Sequence, residues 1–282
     1  MEWDAPVCSP VYGVIFLFKW VGGPSRDSSA PADGTYDHDA ATDGGVFFAA
    51  QTIQNACGTQ AILSVILNHD GSGGPEAIEI GSELSSFKEF THGFPSDLRG
   101  EALSNSEAIR GAHNAFARAS PFVDETQRTA RGGDDDDQAD LYHFIAYTPV
   151  NGVLYELDGL QPFPISHGAC DPDAFPDRVI DVLQRRIARY PDGEIRFNLM
   201  AVVRDLRLRA HEIGDRERLE RESRKRRAWA WENALRRSNF VGFIGEVLKT
   251  VTAKKVQDRT YEEWVADAKR ETSRRVEQRK GG

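Results

Sequence analysis

A thiol at Cys57, an imidazole at His143, a carboxylate at Asp158 and a carboxamide at Gln51 are the side chains whose types and order suit nucleophilic acyl transfer. In that chemistry a thiolate attacks a carbonyl carbon, an imidazole moves the proton, an acidic group orients the imidazole, and amide N–H groups stabilise the oxyanion. A lone cysteine is more often inert core filling, so its setting has to argue for reactivity. Cys57 stands in "QTIQNACGTQAILSVILN" (Gln51 to Asn68), where an extended polar approach meets a helix that starts near the cysteine. Ala61, Ile62, Val65 and Ile66 are expected to form its buried face. A helix N-terminus carries unpaired N–H groups and positive partial charge, which lower a thiol's pKa. Gln51, six residues upstream on what reads as an approach strand, is placed to donate an amide N–H to the same oxyanion as the Cys57 main chain. Gln54 and Asn55 compete for that role, and either amide has an alternative use as a helix cap.

The base and its orienting group come from one hairpin. "HFIAYTPVNGVLYELDG" contains two alternating runs around Asn151-Gly152, a strong signal for a two-residue turn. With that turn, facing residue numbers sum to 303, so Asp158 is a diagonal cross-strand neighbour of His143 on the same face. Of the other histidines only His113, on an expected core helix, competes, and there a structural role is the simpler account.

These residues need a scaffold. "VYGVIFLFKW" (Val11 to Trp20) is apolar on both faces and rich in β-branched and aromatic residues, as a central strand requires. The Gly-, Ser- and Asp-rich stretch to about Gly45 reads as a surface loop. From Gly81 to Phe116 helices are expected, broken at His92 to Pro95, with Ser104 and Glu107 spaced as a capping box. Another helix is expected near Val179 to Arg189 and a strand in "GEIRFNLMAVV". Ser120 to Asp140 lacks periodicity and reads as a lid or binding loop. Within it Asp134 to Asp137 lack the spacing of a calcium loop, and no metal is expected.

The net charge of -9 is divided along the chain. Residues 205 to 282 hold 21 Lys and Arg against 14 Asp and Glu, which leaves -16 on residues 1 to 204 and favours a basic partner for the front part. Three cysteines without a CxxC pair argue against a disulfide framework or structural zinc and fit a reducing compartment. There is no apolar run long enough to span a membrane, and the start lacks the basic lead-in of a secretory signal. GxSxG, P-loop and HExxH patterns are absent.

"YGVIFLFKW", "QTIQNACGTQAILSVILN", "LSNSEAIRGAHNAFAR", "YHFIAYTPVNGVLYELDGL" and "GEIRFNLMAVV" together resemble the ubiquitin C-terminal hydrolase family of papain-like cysteine proteases. The resemblance is to its larger, proteasome-associated branch, and "RRSNFVGFIGEVLKT" is similar to that branch's C-terminal helical partner-binding domain. It implies an α/β (α+β) fold with a central mixed or antiparallel sheet flanked by helices. The implied divisions are a catalytic domain over 1–204, a charged helical linker over 205–235 and a partner-binding domain over 236–282. It further implies Cys57 as nucleophile, His143 as general base and acid, Asp158 as the group orienting it, and Gln51 in the oxyanion hole. Ser120 to Asp140 matches the family's crossover loop. The implied substrates are ubiquitin conjugates cleaved at ubiquitin's C-terminal glycine, with no cofactor, no metal and no membrane. A proteasomal ubiquitin receptor is the implied partner of residues 236–282, in cytoplasm and nucleus. The alternatives are a chromatin-linked deubiquitinase, its basic tail contacting nucleosomal DNA or histones and a chromatin-remodelling complex as its partner, and a catalytically silent ubiquitin-binding scaffold. The family's usual N-terminal segment is expected to be missing.

Overall fold

The computed structural model describes residues 10–20, 29–40, 45–70, 77–116 and 142–280, with side chains to 275. Cys8, the Ser120 to Asp140 lid and the run Asp134 to Asp137 therefore lie outside the described residues. The strands are β1 Val11–Lys19, β2 Thr35–Tyr36, β3 Tyr142–Val150, β4 Val153–Leu157, β5 Ile165–Ala169 and β6 Asn198–Val203. They form one sheet in the order β2-β5-β4-β3-β1-β6, and every neighbouring pair is antiparallel.

The hairpin β3–β4 turns at Asn151 and Gly152, whose φ angles of 50° and 77° are the left-handed pair that a type I′ turn demands. Ala146 faces Leu157 and Val150 faces Val153, the register expected from the sequence. On its other edge β3 pairs with β1, and Phe18 falls directly opposite His143.

Burial on both faces of β1 shows why its sequence is apolar throughout. Val14, Phe16 and Phe18 pack with Ile145, Tyr147 and Leu154 against the helix Phe175–Ile187 through Phe175, Val179 and Val182. Tyr12 and Ile15 face the opposite way and meet Ala61 and Val65 of the helix Cys57–Ile66. In chain order the helices of this unit are α1 Cys57–Ile66, α2 Gly81–Phe90, α3 Ser96–Asn105, α4 Glu107–Asn114, α5 Phe175–Ile187, α6 Leu206–Glu212 and α7 Arg216–Arg237. The chain divides into two compact units, one carrying the described residues up to Ala230 and the other those from Trp231. The second holds the end of α7, then α8 Val241–Gln257 and α9 Tyr261–Lys280.

Three expectations are corrected. The buried residues of α1 are Gln60, Ala61, Leu63, Ser64 and Val65, while Ile62 is 49% exposed. The helix is covered on two sides, by the sheet at Ala61 and Val65 and by Phe47, Leu103 and Ile109 at Leu63, so its exposed strip falls on Ile62. The cap of α4 is Ser106, which accepts the Ile109 N–H, whereas Ser104 lies inside α3 with its hydroxyl donated to the Gly100 carbonyl. Residues 47–52 belong to no strand.

Behind the sheet lies a buried ionic cluster. The Glu156 carboxylate accepts from Arg186 at 2.6 Å, from the Tyr147 hydroxyl at 2.9 Å and from His167 at 3.2 Å. Burial alone would raise the Glu156 pKa, but Arg186 above all, with His167 and Tyr147, pulls it down to about 2. A depressed carboxylate contributes stability at pH above its unfolded value and loses it as pH falls toward the folded one. Arg186→Met removes the main counter-charge and should destabilise the fold by about 3 to 5 kcal/mol near neutral pH. Burial then dominates, raising the Glu156 pKa and letting it protonate. The deficit, measured by urea unfolding, should therefore narrow as pH drops from about 7 to about 4.

Candidate active site

Cys57 is the first residue of α1 and is partly exposed, in contrast to the buried Cys170. Asn55, two residues before Cys57, has a φ of 62°, a conformation Asn tolerates, and it turns the chain into the helix. Neither Gln54 nor Asn55 caps the helix, because the N-cap residue Ala56 makes no side-chain cap bond. The first-turn N–H groups are thus left for a ligand or the sulfur.

His143 stands on β3 and is buried, as is Asp158, one residue past β4. His143 Nε2 lies 2.7 Å from Asp158 Oδ1, which also accepts the Leu160 N–H at 2.9 Å. With Nε2 engaged, Nδ1 is the nitrogen left for the thiol. The imidazole is walled edgewise by Phe18, 5.6 Å away at 90°, and by Trp20, 5.2 Å away at 74°. Arg186 in turn covers the Phe18 ring at 4.5 Å, linking the buried cluster to the wall of the site. Sequence reasoning missed Phe18, Trp20 and Arg186, since nothing local reports the β1–β3 register.

The electrostatics couple sulfur and ring. Burial opposes ionisation of Cys57. It is outweighed by a hydrogen bond with His143, a main-chain bond from Phe144, the imidazolium charge and a main-chain bond from Gly58, so the thiol pKa is lowered. Burial likewise disfavours a charged His143, yet hydrogen bonds to Asp158 and Cys57 push its pKa up to about 9. The two shifts run in the direction that favours a thiolate–imidazolium pair, with the carboxylate behind the ring.

Gln51 donates its Nε2 to the Ile53 carbonyl at 3.2 Å, which leaves its second amide N–H for a substrate oxygen, while its Oε1 is buried without a partner. Its main-chain N–H is fixed on the Gly159 carbonyl at 2.8 Å, beside Asp158. His113 bonds elsewhere, its Nδ1 2.7 Å from the hydroxyl of Thr59 in the first turn of α1. His69 is held 2.7 Å from the Thr148 hydroxyl in the core, with its pKa lowered by burial. Among the described residues no group of three or more His, Cys, Asp or Glu side chains could hold a metal ion, and no helix is long and apolar enough to cross a membrane.

Comparison with known proteins gives the site a context. Residues 2–188 match the family described as ubiquitin carboxyl-terminal hydrolase, family 1, and residues 215–256 match a second model described as ubiquitin carboxyl-terminal hydrolases. Ubiquitin carboxyl-terminal hydrolase 2 of Schizosaccharomyces pombe is 44% identical over 265 residues, covering 92% of this chain and 83% of the relative. Ubiquitin carboxyl-terminal hydrolase isozyme L5 of Dictyostelium discoideum is 41% identical over 196 residues, 70% of this chain and 50% of the relative. The crystal structure of Trichinella spiralis UCH37 bound to ubiquitin vinyl methyl ester superposes with a TM-score of 0.57 at 29% identity, covering 83% of this chain and 84% of that one.

The ion pair has a direct chemical readout. Iodoacetamide should alkylate Cys57 rapidly below the ~8.5 at which an ordinary thiol ionises. His143→Ala removes the cationic partner, so the apparent thiol pKa should rise and alkylation near neutral pH should slow by at least about tenfold. Cys170, whose pKa is raised by burial, should stay unlabelled in both proteins. Equal rates for the two proteins would contradict the pair.

Proposed function

The chain belongs to the ubiquitin carboxyl-terminal hydrolase family, and from that premise we propose how its residues perform the family's reaction. It is a deubiquitinating cysteine protease, hydrolysing amide or isopeptide bonds at the C-terminal glycine of ubiquitin. The Cys57 thiolate attacks the glycine carbonyl carbon, and the oxyanion is stabilised by the Gln51 amide and the Cys57 main-chain N–H. The His143 imidazolium gives its proton to the leaving amine, which departs and leaves a thioester on Cys57. Neutral His143 then takes a proton from water, hydroxide displaces the thiolate, and the free carboxyl terminus of ubiquitin is released. Asp158 holds the ring in one tautomer throughout and does not itself take up the proton. The observation that carries this reading is the buried His143–Asp158 contact of 2.7 Å beside a thiol whose pKa is lowered. Among the described residues Cys57 and Cys170 are free, and a free nucleophilic thiol suits a cytoplasmic and nuclear setting where thiols stay reduced.

Residues 236–282 form a docking element in this reading, with a proteasomal ubiquitin receptor as its partner. In α8, Phe243 is 69% exposed, and Ile244, Val247, Leu248 and Val251 are also exposed at helical spacing. A contiguous apolar face of that kind marks an interaction surface. The resemblance of "RRSNFVGFIGEVLKT" to the C-terminal helical domain of the family's larger, proteasome-associated branch supports the proteasomal choice.

Two experiments test the reading. Cys57→Ala should abolish labelling by an electrophilic ubiquitin probe and all turnover, while persistent labelling that vanishes in Cys170→Ala would overturn the nucleophile. Phe243→Asp should leave the chain folded and active on a ubiquitin-fluorophore substrate while removing co-purification with the receptor. A loss of melting temperature of several degrees, about what 1 to 2 kcal/mol produces in a domain of this size, would instead assign the face to an internal core.

A further inference from the structure

Residues 46–52 carry Gln51, yet no strand partner holds them. Their main-chain groups are tied down by side chains and by other loops. Asn68 brackets Phe47, accepting from its N–H at 2.7 Å and donating to its carbonyl at 3.0 Å. The Gln60 amide donates to the Ala49 carbonyl. The Gln51 N–H itself is held by the Gly159 carbonyl at 2.8 Å, and helix α3 supplies two further bonds: the Ser96 carbonyl accepts the Ala50 N–H at 2.9 Å, and Arg99 Nη1 donates to the Phe48 carbonyl at 2.9 Å.

Two features of α3 are costly unless this contact matters. Arg99 is 3% exposed, and among the described residues it has no carboxylate partner; its Nε is buried without an acceptor, and the guanidinium covers the Phe47 ring at 5.2 Å. A buried cation is expensive, and an apolar side chain would fill the space more cheaply. What only Arg99 supplies is a directed donor to the Phe48 carbonyl. Gly100 is the second feature. A β-carbon there would lie 2.1 Å from the Ala50 carbonyl oxygen and 3.1 Å from Thr52 Cγ2. Thr52 also reaches across, its hydroxyl 3.3 Å from the Gly100 carbonyl and 2.8 Å from the Ser104 hydroxyl. Contacts to Phe48, Ala50 and Thr52 thus straddle Gln51 from a single helix.

We infer that α3 is a positioning element for the acylation step: Arg99 and Gly100 fix the backbone on the N-terminal side of Gln51 and so set where its amide meets the substrate oxyanion. The inference rests on the reading of Gln51 as oxyanion donor. With a methyl at residue 100 the Ala50 carbonyl must retreat by roughly 1 Å to reach van der Waals separation, and Gln51 is the next residue. A displacement of that size costs on the order of 100-fold in rate when it falls on a transition-state donor.

The test uses the full chain and a ubiquitin-fluorophore substrate, with Gln51→Ala, Gly100→Ala and their double variant. Gly100→Ala should lower kcat by about 100-fold while KM changes less than about twofold, because the lost contact is made only in the transition state. Iodoacetamide alkylation of Cys57 involves no oxyanion and should stay within about twofold of the unmodified protein. In the Gln51→Ala background, Gly100→Ala should add less than about threefold, as residues acting through one group are not additive. A full additive loss, or alkylation that falls in parallel with kcat, would overturn the inference and leave the oxyanion reading intact. If Gln51→Ala itself retains kcat, the oxyanion reading fails and the inference with it. Should Gly100→Ala fail to fold, Arg99→Met and Arg99→Lys provide the second arm. The lysine keeps a donor for the Phe48 carbonyl and should recover most of the kcat that methionine loses, and equal losses would overturn the proposal.

Discussion

The hydrogen bond between His143 and Asp158 is the constraint on which the active site depends. Buried against Phe18 and Trp20, an imidazole with no partner would be neutral and free to rotate, and neither condition supports a thiolate. The carboxylate reverses both, holding the ring by one nitrogen and favouring its charged form, and the thiol then ionises against it. The bond itself is a product of register. Asp158 lies on the correct face because the hairpin turns at Asn151 and Gly152, and a slip of one residue would carry it through to the other side of the sheet. Phe18 reaches the ring by the same logic on the opposite edge, through the β1–β3 pairing.

The proposed nucleophile is positioned by a different device. Cys57 is carried by a helix packed between the sheet and the Phe47, Leu103 and Ile109 cluster, so its position follows the two cores on either side of α1. The segment before it has no sheet to define it and is held by the Asn68, Gln60 and Arg99 side chains together with the Ser96 and Gly159 carbonyls. The site therefore joins a register-defined half on the hairpin to a half held by hydrogen bonds to side chains and loops.

That contrast explains what could be read from the sequence. The hairpin, its turn and the diagonal of His143 and Asp158 were legible because a two-residue turn fixes pairing locally. The start of α1 at Cys57 was legible for a similar reason, from the change of polar approach into apolar run. The buried face of α1 was not, because a helix covered on two sides loses the single apolar stripe that periodicity detects, and Ile62 is left exposed where Leu63 is buried. Ser104 matched a capping pattern, yet the chain stays helical through Asn105 and Ser106 takes the cap, a shift of two residues within the usual uncertainty of helix ends. Arg99, Gly100 and Phe18 were beyond reach, since their roles arise from contacts far apart in the chain.

The central claim is that His143 is an imidazolium at neutral pH because Asp158 and the Cys57 thiolate both favour its charge. Its protonation is directly observable by nitrogen NMR of the imidazole-labelled protein followed across pH. The account predicts a doubly protonated ring at about pH 7 that titrates near 9, well above the ~6.5 of a free histidine. A ring that is already neutral at about pH 7, titrating at or below the free value, would contradict it.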